Sequence, residues 1–97
     1  VATNGLLLKK YADKINNSCI TDLGVSIDGM SETNDMIRGI KGYFNTVFEG
    51  ISKIKKRVTV MTTLNQYNAY ELDELINLCE DYGVLWDFNL LDNRLFF

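Results

Sequence analysis

Short apolar runs recur near positions 23, 58 and 84 of this 97-residue chain, and an interval of roughly 30 residues is the length of a strand–helix–strand unit. Arg57–Leu64, with Val-Thr-Val-Met-Thr-Thr at its heart, is the clearest strand, because β-branched side chains suit a pleated surface. Asp22–Ile27 is shorter and apolar and reads as a buried strand. Val84–Leu90 reads as a third, and Val1-Ala2-Thr3 as the tail of an earlier one. Helical stripes lie between them. Leu7, Leu8, Tyr11, Ala12 and Ile15 mark one over residues 6–17, and Tyr43, Phe44, Val47, Phe48, Ile51 and Ile54 mark a stronger one over Tyr43–Lys55. Leu72, Leu75, Ile76 and Cys79 mark the last. Strands alternating with helices predict an α/β fold with about three principal parallel strands in sequential order, right-handed crossovers, and covering helices on one face.

Local signals sharpen this outline. Asn68 followed by Glu71 has the spacing of a capping box opening the last helix, and Gly83 after Tyr82 is placed to terminate it. Gly50 falls inside the second stripe, where glycine costs about 1 kcal/mol relative to alanine, so it predicts a close approach by a neighbouring element. Residues 29–42 are polar and carry Gly29, Gly39 and Gly42, which predicts a loop holding at most one helical turn.

Composition narrows the function classes. Net charge is −3, and outside Lys53-Ile54-Lys55-Lys56-Arg57 the basic residues are scattered, so no broad basic face for nucleic acid is expected. That cluster suits the end of a helix, where cations complement the macrodipole. No apolar run approaches the roughly 20 residues of a membrane span, and no signal-peptide pattern opens the chain. A cytoplasmic setting is expected, with Cys19 and Cys79 reduced, buried and inert, and the sequon-like Asn16-Asn17-Ser18 a chance match. Two cysteines and no histidine cannot complete a Cys/His zinc or iron–sulfur site, so no metal ligand is assigned. The chain opens at Val1 and closes on apolar Leu95-Phe96-Phe97, which reads as a segment of a longer protein.

The first full strand runs out through Val25-Ser26-Ile27-Asp28-Gly29, and Arg38-Gly39 follows ten positions after Asp28. In parallel α/β proteins ligands gather at the carboxyl ends of strands. A hydroxyl, a carboxylate and a returning cation there point to a site. Ordinary turn residues leaving a core strand would look the same.

Taken together, Thr3-Asn4-Gly5, Val25-Ser26-Ile27-Asp28-Gly29, Asp35-Met36-Ile37-Arg38-Gly39, Gly42-Tyr43-Phe44 and Leu64-Asn65 with Asn68 resemble the middle of a radical S-adenosylmethionine (radical SAM) enzyme. The resemblance is closest to the branch that modifies peptides and makes cofactors, including haem and quinone cofactors. It covers nearly the whole chain, from the end of the family's third barrel strand to its sixth. It implies that residues 1–97 are the central segment of a partial TIM-type (β/α)6 barrel. The family's first strands, and the CxxxCxxC loop that holds its [4Fe-4S] cluster, have no counterpart here, and Cys19 and Cys79 match no cluster ligand. The cluster and S-adenosylmethionine therefore belong to the inferred parent, which would cleave S-adenosylmethionine reductively to a 5′-deoxyadenosyl radical. The fragment alone is expected to retain neither group and to be inactive. The parent's substrate would be a peptide or a small cofactor precursor.

Carried over position by position, Ser26 and Arg38 match residues that hold the amino-acid carboxylate of S-adenosylmethionine. A guanidinium offers a charge-assisted fork and a hydroxyl a second bond. Asn4 is placed to line the same pocket, though Asn-Gly is also a common turn. Asp28 either contacts ligand or fixes the turn before Gly29. Thr62 and Asn65 end the next strand, where the family reads the adenosine moiety, and Leu91 either packs on adenine or is plain core.

A second reading is a non-catalytic binding module of receiver type, with Asp28 as phosphoacceptor. That chemistry needs further carboxylates for Mg²⁺ and a lysine at a later strand end, and neither Thr62-Thr63-Leu64 nor Asn89-Leu90-Leu91 supplies the lysine. On either reading, an open barrel segment exposes strand edges, and self-association is expected.

Overall fold

The computed structural model describes residues 2, 3 and 5–90. Its elements run β1 (Ala2–Thr3), α1 (Leu8–Asn16), β2 (Asp22–Ser26), α2 (Ser31–Arg38), α3 (Tyr43–Ile51), β3 (Arg57–Leu64), α4 (Leu72–Asp81) and β4 (Leu85–Leu90). The strands form one sheet in the order β1-β2-β3-β4, and every neighbouring pair is parallel. Val25 stands beside Val60 and Ser26 beside Met61, while Thr62 stands beside Phe88. The α/β architecture of parallel strands with covering helices is therefore present, as an open sheet.

Alternation along the strands divides the sheet into two faces. Leu23, Val25, Ile27, Val58 and Val60 are buried in a single core with Leu8 of α1, Phe44, Val47, Phe48 and Ile51 of α3, and Leu75 and Cys79 of α4. Each such side chain contributes about 1.5–3 kcal/mol when fully buried. Gly24, Ser26, Thr59, Met61 and Thr63 alternate with these and are only half-buried, on the face away from the helices.

Two glycines explain how the helices fit. A Cβ on Gly50 would lie 2.7 Å from Leu8 Cβ and 2.9 Å from the Lys9 nitrogen, so α1 and α3 cross where only glycine leaves room. Gly83 takes φ +70° and closes α4. Its N–H donates to Glu80 O (3.0 Å) and the Val84 N–H to Cys79 O (2.9 Å), the paired bonds of a Schellman motif.

Four local expectations need correcting. Residues 29–42 contain a full eight-residue helix, α2, rather than a loop with one turn. Its glycines flank it instead of interrupting it, and its N-terminus is held by a carboxylate distant in sequence, Glu71. α3 stops at Ile51 rather than Lys55, because the Asn16 side chain engages the next backbone groups: Nδ2 donates to Lys53 O (3.0 Å) and Oδ1 accepts from the Lys55 N–H (2.7 Å). Asn68 and Glu71 form no capping box. No side-chain cap bond opens either the 3-10 turn Ala69–Glu71 or α4; both side chains bond across the fold instead. Cys79 is buried as expected, but Cys19 is exposed. No helix among the described residues is long and apolar enough to cross a membrane.

Candidate functional site

At the carboxyl end of β2 the sheet stops bonding through backbone alone. The Ile27 N–H still donates to Met61 O (3.0 Å). One step further, the Thr63 N–H donates to Asp28 Oδ1 (3.0 Å) and the Thr62 hydroxyl donates to the Ile27 carbonyl (2.7 Å). Asp28 is the hub. Its N–H donates to Asn34 Oδ1 (2.7 Å), its carbonyl accepts from Asn68 Nδ2 (3.0 Å), and its Oδ2 pairs with Arg38 Nη2 at 2.7 Å.

That ion pair is largely buried, with side-chain exposures of 10% for Asp28 and 28% for Arg38. A buried pair gains little net stability over apolar packing, yet removing one partner costs roughly 3–5 kcal/mol because the other charge is left desolvated. Arg38 also lies over the Tyr43 ring, 5.8 Å from its centroid. Burial pushes the Tyr43 phenol above its ordinary value; the Arg38 charge opposes this and Asp28 adds to it. Two buried donors in this corner, Asn34 Nδ2 and Arg38 Nε, have no hydrogen-bond partner, a condition that costs about 1–3 kcal/mol per group.

The helix that delivers Asn34 and Arg38 is pinned at both ends. Glu71 accepts from the Met30 N–H (2.7 Å) and from the Thr33 hydroxyl (2.6 Å) at its N-terminus. A carboxylate there also complements the helix dipole. Asp35, near its C-terminus, accepts from the N–H groups of Gly42 and Phe44 (both 2.8 Å), so the same side chain caps the start of α3.

Ser26, Asp28, Arg38, Thr62 and Asn65 thus all lie around the carboxyl ends of β2 and β3, but not in one orientation. Ser26 is on the face away from the helices. Thr62 is on the helix face, 0% exposed, its hydroxyl donating to Ile27 O and accepting from Trp86 Nε1 (3.0 Å). Its place is inside the wall of the site. Asn65 turns back on its own loop: Oδ1 accepts from the Tyr67 N–H (2.8 Å) and Nδ2 donates to Thr63 O (3.2 Å). Asn4 and Leu91 lie outside the described residues.

Beside Asp28 opens a cleft of about 600 Å³ lined by Asp28, Met36, Ile37, Thr63, Asn65 and Tyr67. The lining joins an apolar wall from α2 and Tyr67 to a polar floor at the strand ends, the composition of a small-molecule site. Met36, Ile37 and Tyr67 are missing from the sequence-derived set, although apolar residues in an otherwise polar stretch were the available signal. Asn34 is also missing; its spacing of four from Arg38 places both on one helix face. Asp28, with one oxygen on Arg38 and the other on the Thr63 N–H, is poorly suited to the phosphoacceptor role of a receiver module. Among the described residues no group of three or more His, Cys, Asp or Glu side chains could hold a metal ion.

No family model matches the chain. Individual proteins do. It is 34% identical over 88 residues to the pre-heme d1 synthase of Dinoroseobacter shibae, covering 87% of this chain and 22% of that protein. To the Fe-coproporphyrin III synthase of Methanosarcina barkeri it is 32% identical over 85 residues, 84% of this chain and 21% of that protein. To the sporulation killing factor maturation protein SkfB of Bacillus subtilis it is 37% identical over 62 residues, 61% of this chain and 15% of that protein. The chain spans about a fifth of the length of the curated relatives it matches.

Proposed function

This chain is a homologue of radical S-adenosylmethionine enzymes of haem and cofactor synthesis and of peptide modification, and we propose that its strand ends form part of the S-adenosylmethionine site of such an enzyme. The observation that carries this reading is the Arg38 guanidinium held by Asp28 at the carboxyl end of β2, beside an open cleft.

The donor set fits the amino-acid end of S-adenosylmethionine. Arg38 supplies the charge that its carboxylate requires, and its buried Nε still lacks an acceptor. Ser26, on the open face of β2, adds a hydroxyl donor. Asp28 orients Arg38, and Asn65 shapes the cleft floor where the adenosine moiety would lie. Thr62 acts at one remove, by holding the end of β3 against β2. The resemblance adds Asn4 and Leu91 to the lining.

The cysteines do not fit the cluster. Cys19 is exposed and Cys79 buried, and burial pushes the Cys79 thiol up to about 11, opposite to the thiolate that ligation needs. The cluster ligands are therefore assigned to another part of a longer protein. In that protein the cluster and S-adenosylmethionine would supply radical chemistry on a cofactor precursor or a peptide, in the cytoplasm.

The test is a titration of the isotope-labelled chain with S-adenosylmethionine followed by nuclear magnetic resonance. The isolated chain holds only part of the site and is not expected to retain the ligand, so weak binding in fast exchange is expected. Amide shifts should appear at Ser26–Gly29 and Thr63–Asn65, and Arg38→Ala should abolish them. No shifts at millimolar ligand, or shifts confined to other surfaces, would overturn the proposal.

A further inference from the structure

Both unpartnered buried donors of the described side chains, Asn34 Nδ2 and Arg38 Nε, sit on one face of α2, four residues apart. The rest of each side chain is already committed to Asp28. Asn34 Oδ1 accepts from its N–H, and Arg38 Nη2 forms an ion pair with its Oδ2, each at 2.7 Å. Arg38 thus holds Asp28 through one nitrogen. The Nε–Nη2 edge, which grips carboxylates with two parallel bonds, is half used.

We propose that Asn34 is a positioning residue that lets Arg38 exchange Asp28 for the carboxylate of an incoming ligand. The inference rests on the reading of Arg38 as the carboxylate anchor. Arg38 presents its Nε–Nη2 edge to the ligand, so its orphaned Nε gains an acceptor. Asp28 remains anchored through Oδ1 to the Thr63 N–H, and its released Oδ2 accepts from Asn34 Nδ2, the donor on the side chain already bonded to its own N–H. Both orphans are satisfied in a single exchange of partners, and neither charge is left bare. The movement is confined to side chains, because Glu71 and Asp35 pin the two ends of α2. Without Asn34 Nδ2, Arg38 could reach the ligand only by leaving a desolvated carboxylate oxygen behind.

A purely structural Asn34 would need only Oδ1, to cap the Asp28 N–H. Asn34→Asp separates the two roles, since it keeps an acceptor there and replaces the donor with a second carboxylate oxygen. The probes are S-adenosylhomocysteine, which carries the amino-acid carboxylate, and 5′-methylthioadenosine, which lacks it; the full chain is titrated with each. Asn34→Asp should weaken S-adenosylhomocysteine by at least about tenfold and leave 5′-methylthioadenosine within about twofold. In the wild-type chain the Arg38 Nε–H and Asn34 side-chain amide resonances should both move with S-adenosylhomocysteine and stay fixed with 5′-methylthioadenosine. If Asn34→Asp fails to fold, these wild-type resonances decide. Movement of the Arg38 resonance with a static Asn34 amide overturns the exchange and leaves the ligand site standing. Absence of S-adenosylhomocysteine binding overturns both.

Discussion

Trp86 donates a hydrogen bond from its indole Nε1–H to the Thr62 hydroxyl at 3.0 Å, and that hydroxyl in turn donates a hydrogen bond to the Ile27 carbonyl at 2.7 Å. One side chain of β3 therefore ties β4 to the end of β2, just beneath the candidate site. Thr62→Val preserves the shape and removes both bonds, leaving an indole N–H and a carbonyl without this partner. A loss of about 1–3 kcal/mol in unfolding free energy is expected, measured by urea denaturation. Thr62→Ser keeps the hydroxyl and should cost less. The opposite ranking would show that the methyl, and not the relay, matters.

Gly50→Ala tests the crossing of α1 and α3. Helix propensity alone would favour alanine by about 1 kcal/mol. The added methyl would meet Leu8 Cβ at 2.7 Å and the Lys9 nitrogen at 2.9 Å, and backbone cannot step aside as a flexible side-chain tip can. Overpacking of this kind costs about 1–3 kcal/mol. Thermal and urea denaturation should both report net destabilisation.

The sequence was legible where structure is decided locally. Arg57–Leu64 is a strand because β-branched residues run through it. Gly83 ends α4 because a left-handed residue is needed there, and Gly50 betrayed a close contact by its cost. Three of the four misreadings, all but the exposure of Cys19, share one cause, which is bonding between residues far apart in sequence. α2 looked like loop because the carboxylate that holds its N-terminus, Glu71, is about forty positions away. Asn68 and Glu71 looked like a local cap, yet they bond to Asp28, Met30 and Thr33. Spacing placed Ser26, Asp28 and Thr62 at one end of the sheet, but the buried demand of Trp86 and Ile27 on Thr62 was invisible without the register.

Cys79 gives the fold an alkaline liability. Burial raises its thiol from the ordinary 9.0 to about 11, because the thiolate is penalised in the folded state. As pH rises above about 9 the unfolded chain gives up this proton while the native chain keeps it, so stability falls until the native thiol titrates near 11. The wild-type protein should lose stability relative to Cys79→Ala across that window and show no such relative loss below it. At neutral pH a thiol reagent should modify exposed Cys19 readily and Cys79 only on unfolding.

Self-association is expected at β4, one of the two outer strands of the described sheet. Leu85 and Phe88 are 54% and 46% exposed there, on a strand with no further strand beyond it among the described residues. Sedimentation velocity at micromolar concentration should show a species heavier than the monomer. Leu85→Lys combined with Phe88→Lys should shift it to monomer. A wild-type monomer under the same conditions would sink this expectation.

Asn68 offers the sharpest test of the network beneath the site. Its side chain is wholly buried; Nδ2 donates to Asp28 O (3.0 Å) and Thr63 O (2.8 Å), while Oδ1 accepts from the Asn65 N–H (3.0 Å). Asn68→Ala removes all three bonds and leaves three backbone groups without these partners, for an expected loss of about 2–4 kcal/mol. Asn68→Asp is nearly isosteric and keeps the acceptor. It nevertheless replaces a donor with a buried oxygen facing two carbonyls, so it either bears a desolvated charge or takes up a proton. Asn68→Asp should therefore be strongly destabilised at neutral pH and recover part of its stability as pH falls, since only the protonated acid can donate to a carbonyl. Urea denaturation at pH 7 and pH 5 would show this. An Asn68→Asp protein as stable as wild type at pH 7 would mean that the two carbonyl bonds do not hold the strand end in place.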